Sequence, residues 1–410
     1  MNTPERGTPF GFLAAVLTVP VVFMPAATDP FSLSRWLLLG ILAALYAALK
    51  GSRAFSVPAW KPVHFLLLYL FVFSAIHALA NPSFPAAAHA LMVTALWLLC
   101  AAFASASPEA ARKTMAWMAL LGAVEAIYGL FQFAGYDPLF VTAAWASGPR
   151  MSMAGTIGTP SIYGIHLGLS LLAGLHCLLT SGRRILFGSL TALMAVALVF
   201  NNTRSAIVGT GLGVGWMLMR RLQRKALPVL AVAVLAAAAL LMFHSGLRQR
   251  WTELLSFKQT HSATIRGFYW RVTWAAVSDK PWLGYGPGSF SRTYFDTQAD
   301  LLSRKVLAPP EPLQPMLWAH NDYLQVWLEY GLPGLLLLIW VLGHAVFRCV
   351  RRGRVGTEIE NPASSGILLG AFSALFLFPL YHPSTLVPLL YYLALATGQE
   401  APTAPDAAEE

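Results

Sequence analysis

The sequence predicts an all-α polytopic membrane protein with about twelve transmembrane helices. Three observations carry that expectation. Of the 410 residues, 57% are hydrophobic and only 11% are charged, whereas a soluble domain has about 25% charged residues. Apolar stretches recur along the whole length at roughly the 17–25 residues that cross a bilayer as a helix. The alternation that marks membrane barrel strands is absent. In hydrocarbon a backbone must satisfy its own N–H and C=O groups, and a helix does this within one segment.

The first five spans are expected over Phe10–Ala27, Trp36–Leu49, Val63–Ala80, Ala87–Ala104 and Thr114–Ala134. Four more follow over Ile162–Thr180, Ile185–Phe200, Ser205–Met219 and Pro228–Phe243. The last three are Ala319–Phe347, Ser365–Leu380 and Leu386–Thr397. The opening run has a cleavage-like PAA near Ala26. Its apolar core is too long for an export signal and its start has no net positive charge, so it reads as a span.

Basic residues set the expected orientation. Alternate short loops hold Lys50, Arg53 and Lys61, then Arg112 and Lys113, Arg183 and Arg184, Arg220 to Lys225, and Arg348 to Arg354. With Arg6 these make 16 of the 28 basic residues. The opposite short loops hold only Arg35, Arg150 and Arg204. Both termini are therefore expected in the cytoplasm, with the long segment His244–Trp318 outside. The predicted organisation is nine spans over 1–243, an external loop domain over 244–318, three spans over 319–397 and a disordered acidic tail over 398–410. The formal charge of +10 is mostly this topology signal, and no nucleic-acid partner is implied. Cys100, Cys177 and Cys349 lie within or beside spans, with no C-x-x-C and no H-E-x-x-H. Neither a disulfide framework nor a metal site is expected.

Charged groups inside lipid default to functional hypotheses, and here Glu125 is the only acidic residue well inside a span. His77, His166, His176 and His344 are placed singly, and packing roles suit them better than chemistry. The polar residues gather instead at the outer ends of spans, in three clusters. In FNNTRSAIVG, Phe200 to Gly209, a very short turn pins Arg204 at the membrane surface. A guanidinium fork suits a bidentate grip on phosphate oxygens; the competing reading is an arginine reaching lipid phosphate.

The second cluster is Thr260 to Phe290. Arg266, Tyr269, Trp270, Thr273, Trp274 and Val277 recur at helical spacing, which predicts an amphipathic helix lying on the interface. Arg266 and Arg271 flank its aromatic face, and GYGPG after it supplies turns without a nucleotide fingerprint. The third cluster is WAHNDYLQVWLEYGLPG, Trp318 to Gly334. Asn321, Gln325 and Glu329 share one helical face, and His320 stands at the expected first turn. A neutral imidazole there can accept a proton near neutral pH, or simply cap the helix. Two residues in the first outer loop have double readings: Asp29 as a catalytic carboxylate or a turn opener, and Arg35 as a phosphate contact or a snorkelling side chain.

Taken together, TRSA at Thr203–Ala206, R-x-x-x-W at Arg266–Trp270 with KPWLGYGPGSF after it, and HNDYLQVWLEYGLPG resemble the O-antigen ligase and polymerase superfamily. GTIGTPSIYGIHLGL, Gly155 to Leu169, is a looser match, with Thr159-Pro160 where many relatives carry Asn-Pro. The resemblance implies a membrane glycosyltransferase fold of the GT-C type with a large periplasmic loop. It implies transfer of a glycan from an undecaprenyl diphosphate carrier, on the periplasmic side of a bacterial inner membrane. The ligase member's acceptor is the lipid A–core oligosaccharide. By the same resemblance, His320 matches the essential histidine, and Arg204 and Arg266 match the essential arginines. Asn321 and Gln325 would orient the sugar or the imidazole. No D-x-D is present and the outer carboxylates are scattered, so metal-independent transfer with no cofactor is expected, and attack opposite the leaving diphosphate would invert the anomeric configuration. Repeat-unit polymerase and protein O-oligosaccharyltransferase are the alternatives within the superfamily. The short stretch after the last span is expected to disfavour the latter. A lipid-linked glycan transporter would show pseudo-symmetric halves, and none is seen.

Overall fold

The computed structural model describes residues 7–24, 31–55, 60–80, 84–137, 139, 153–223, 261–306, 316–351 and 360–397. Asp29, Arg150, the expected span Pro228–Phe243, the loop residues 244–260 and the tail 398–410 lie outside them. The described residues form helices and connections, with no strand beyond one isolated bridge between Thr8 and Ala106.

Eight helices build the first part: α1 Phe10–Thr18, α2 Ser32–Lys50, α3 Pro62–Ala80, α4 Phe84–Ala104, α5 Pro108–Phe133, α6 Pro160–Thr180, α7 Arg184–Asn201 and α8 Arg204–Leu222. Two helices follow in the loop region, α9 His261–Asp279 and α10 Phe290–Ser303. Three close the chain: α11 Asp322–Arg351, α12 Glu360–Ser373 and α13 Pro383–Thr397. Seven of them are long and apolar enough to cross a membrane (α2 to α7, and α11), which makes this a multi-pass membrane protein. Eleven of the twelve expected spans overlap described helices, and seven of these helices are long and apolar enough to cross. Those over α1, α12 and α13 are short, and α8 carries Arg204, Arg220 and Arg221 at its two ends.

Helix starts follow local chemistry. Ser107 caps α5 by accepting the Ala110 N–H at 3.2 Å, ahead of Pro108 and Glu109 in the first turn. Pro160 opens α6 in the same way. Helix α6 is the innermost span, buried along nearly its whole length and packed against α5, α7, α8, α12 and α13. Small residues permit that closeness. A Cβ on Gly164 would stand 2.5 Å from the Asn201 side-chain oxygen and 2.9 Å from the Thr203 Cβ. The NNTR turn between α7 and α8 is therefore seated directly on the start of α6.

The loop region has a core of its own. Phe268, Val272, Ala276 and Val277 of α9 bury against Phe290 and Tyr294 of α10, with Ala319 and Leu328. On the face expected to be aromatic, Thr273 and Val277 are buried and Trp274 is 54% exposed, while Phe268, Val272 and Ala276 face the partner helices.

Helix α11 differs from the expected span in two ways. It starts at Asp322, and His320 precedes it in a left-handed conformation (φ 51°), outside the first turn. It also breaks at Gly331, where φ is 69° and ψ −177°. The break frees the carbonyls of Leu328 and Glu329, which accept the N–H groups of Tyr285 (2.8 Å) and Gly286 (3.0 Å); Leu332 N–H donates to Pro281 O at 2.9 Å. A Cβ at Gly331 would lie 2.1 Å from the Trp282 carbonyl oxygen. Gly331→Ala is therefore expected to lower the thermal midpoint of the detergent-purified protein. The backbone conformation alone contributes about 1–3 kcal/mol, before the steric conflict. An unchanged midpoint would contradict the tight joint. A second departure lies in the expected span Ser365–Leu380. Its helix ends at Ser373, and residues 374–382 form turns.

Candidate functional site

The NNTR turn fixes the first arginine. Asn202 adopts the left-handed conformation that closes α7, and its N–H reaches the carbonyls of Leu198 and Val199. The Asn201 amide donates to the carbonyls of Met153 (2.9 Å) and Pro160 (3.0 Å). Thr203 precedes α8, so Arg204 is its first residue, at the positive end of the helix. Arg266 projects from the second turn of α9, partly buried. Among the described residues neither guanidinium has a carboxylate partner. Burial, and then the Arg204 charge, depress the Arg266 pKa.

His320 completes the group. Its ring lies between Tyr269 of α9, stacked at 6.2 Å, and Phe378 of the 374–382 connection, edge-on at 5.2 Å. Burial, and then the Arg266 charge, bring its pKa down to about 4. Arg204, Arg266 and His320 thus lie within Coulombic reach in sequence from one to the next, although 116 residues separate Arg204 from His320 in the chain. Three buried polar atoms nearby have no protein partner among the described residues: His320 Nδ1, Trp270 Nε1 and Tyr294 Oη. Two cations with no counter-charge among the described residues, beside a neutral imidazole and polar atoms without partners among them, make a site suited to an anion and a hydroxyl.

The other expected participants take different places. Asn321 caps α11, its side-chain oxygen accepting the Leu324 N–H at 3.1 Å. Gln325 is fully buried; its oxygen accepts the Ala319 N–H at 2.9 Å and its amide faces Glu329 at 3.5 Å. It therefore holds the backbone just before His320. Glu329 is also buried and accepts from the Tyr381 hydroxyl at 3.0 Å. The shared face of Gln325 and Glu329 holds, but it points into protein. Arg35 is fully buried, with guanidinium N–H groups on the carbonyls of Val22 (2.8 Å), Thr156 (2.8 Å) and Ile157 (3.4 Å). That corrects both readings of Arg35: it ties the first helices to the segment before α6 and reaches neither phosphate nor surface. Arg271 is exposed and turned to the Gly267 carbonyl of its own helix at 3.3 Å. Glu125 anchors the same segment as Arg35, accepting from the Thr156 hydroxyl at 2.6 Å and its N–H at 2.9 Å. No group of three or more metal-ligating side chains occurs among the described residues.

Sequence reading missed Tyr269 as a ring partner of His320 and missed Phe378 altogether. The spacing of α9 contained the first. Nothing local marked the second, which sits in a stretch read as a span.

Residues 189–339 match the family model described as O-antigen ligase. This segment is similar to the O-antigen ligase family. It runs from within α7 to beyond the break in α11 and contains Arg204, Arg266 and His320, but not residues 374–382. The match agrees with the superfamily resemblance drawn from TRSA, R-x-x-x-W and HNDYL. No curated protein matches the chain.

Proposed function

We propose that the protein is a glycosyltransferase that moves O-antigen from undecaprenyl diphosphate to the lipid A–core oligosaccharide, on the periplasmic face of a bacterial inner membrane. The observation that carries this reading is the convergence of Arg204, Arg266 and His320 from three separate parts of the O-antigen ligase segment. Diphosphate is the chemistry that two unpaired guanidinium forks fit best. As the bond from the anomeric carbon to the diphosphate oxygen breaks, charge grows on that oxygen, and preorganised donors stabilise such charge strongly. His320 takes the proton from the acceptor hydroxyl. Attack opposite the leaving group gives an inverted anomeric configuration.

The electrostatics add an ordering. In the free protein burial, and then the Arg266 charge, keep His320 a weak base. A bound diphosphate would offset that charge and raise the basicity of the imidazole, so the base is most effective when the donor is in place. An apolar cavity between α3, α4, α11, α12 and α13 has His89, Tyr381, Val63 and Leu393 in its lining. Its lining suits a polyisoprenyl chain.

Purified protein supplied with a lipid-linked glycan and a lipid A–core acceptor tests the reading. Transfer to the acceptor supports it. Lengthening of the donor glycan alone would identify a repeat-unit polymerase, transfer to protein an O-oligosaccharyltransferase, and movement of the carrier without transfer a transporter.

A further inference from the structure

We propose that the connection between α12 and α13 forms one wall of the site, and that Phe378 on it, clamped by Asp322, is a positioning residue for His320. This part of the chain lies outside the O-antigen ligase segment. The inference rests on the reading of His320 as the base.

The clamp is built from both ends of the connection. Asp322 is fully buried. Its N–H donates to the Ala374 carbonyl at 2.8 Å, and its Oδ2 accepts the Leu380 N–H at 2.8 Å. The neighbouring Tyr323 hydroxyl donates to the Ala371 carbonyl at 2.9 Å. Two residues after His320, the chain therefore grips the start and the finish of the stretch that carries Phe378. Within that stretch Phe378 lies edge-on to His320 and stacks on Trp318 at 5.5 Å and 15°. Phe376 approaches Trp270 at 6.3 Å. Trp318 also meets Tyr381 at 5.6 Å. The imidazole is thus walled by α9 on one side and by the connection on the other.

Such a wall has two effects. It fixes the ring plane, because an edge-on contact and a stacked contact together leave little rotation about the side-chain bonds. It also keeps water from the face that Phe378 covers, and exclusion of water disfavours the imidazolium form. The charged and titratable groups facing His320 are Arg266 and Tyr269 from α9; Arg204 of α8 acts on Arg266. Asp322, though close in sequence, is engaged with Leu380. Phe378 is then the element whose removal alters hydration of His320 with no change in nearby charge.

The test is the pH profile of kcat/KM for glycan transfer by the full-length protein in liposomes. Phe378→Ala is expected to move the acid limb from about 4 toward the 6.5 or so of free imidazole, and to lower kcat about tenfold through a looser ring. Phe378→Leu, which keeps an apolar cover, restores the wild-type limb. Asp322→Ala moves the limb in the same direction as Phe378→Ala, whereas Asp322→Asn, still able to accept from Leu380, leaves it in place. If Phe378→Ala does not accumulate in the membrane, Phe378→Val gives the same direction with a smaller shift. An acid limb unmoved in Phe378→Ala, or in Phe378→Val, overturns the inference when His320→Ala is inactive. A His320→Ala protein that still transfers glycan overturns the underlying reading instead.

Discussion

Replacing His320 with alanine is expected to lower glycan transfer by about 10²–10⁴-fold, the usual contribution of a positioned general base. Protein level and membrane insertion stay near wild type; among the described residues the ring's contacts with Tyr269 and Phe378 are aromatic. Its Nδ1 has no protein hydrogen bond to lose among the described residues. Transfer by purified protein in liposomes, with accumulation monitored in parallel, measures the effect. A transfer rate within a few-fold of wild type would exclude proton removal by His320. The sign of the pH dependence follows from the depressed pKa. A base must be neutral to act, and His320 remains neutral down to about pH 4 in the free protein. The acid limb of kcat/KM should therefore lie near that value. The limb of kcat, which reports the donor-bound protein, should lie higher, because diphosphate offsets the Arg266 charge. Coincident limbs would remove the coupling between donor binding and basicity.

Arg204→Lys is the second large effect. Lysine keeps the positive charge at the start of α8 and loses the planar fork that engages two oxygens at once. A loss of about 10²–10³ in kcat is expected, comparable to deleting one preorganised donor at a developing anion. Because Arg204 also sets the field at Arg266, a lysine variant should retain the acid limb of His320 while losing rate. Arg271→Lys serves as the comparison: an exposed side chain on its own helix carbonyl should tolerate the exchange. Equal rates for Arg204→Lys and the wild-type protein would show that charge alone is required there.

Legibility in the sequence divided along a physical line. Hydropathy marked most spans, because an apolar run of sufficient length has few alternatives to a membrane helix. The TRSA turn was legible because two apolar runs flank four residues, which leaves Arg204 no other place. The grouping of Arg204 with Arg266 and His320 came from the family pattern, and no local property of the three stretches contains it. Arg35 was misjudged because isolation among apolar residues looks the same whether a guanidinium meets lipid phosphate or backbone carbonyls. Its partners Thr156 and Ile157 lie more than 120 residues away. Phe378 was hidden for a related reason. Ser365–Leu380 is continuously apolar, yet helix α12 stops at Ser373 and the rest turns back over His320. Hydropathy registers burial and cannot tell a span from an aromatic wall.

The break in α11 at Gly331 explains why so polar a stretch can run directly into an apolar one. Residues 322–330 pack with the loop region, and the apolar run lies beyond the break. The loop region and α11 are joined by main-chain groups: Tyr285 to Leu328, Gly286 to Glu329 and Leu332 to Pro281. Such a seam does not depend on which side chains flank it, apart from the glycine. Substitutions on the surface of the loop region can therefore accumulate without loosening its attachment to α11.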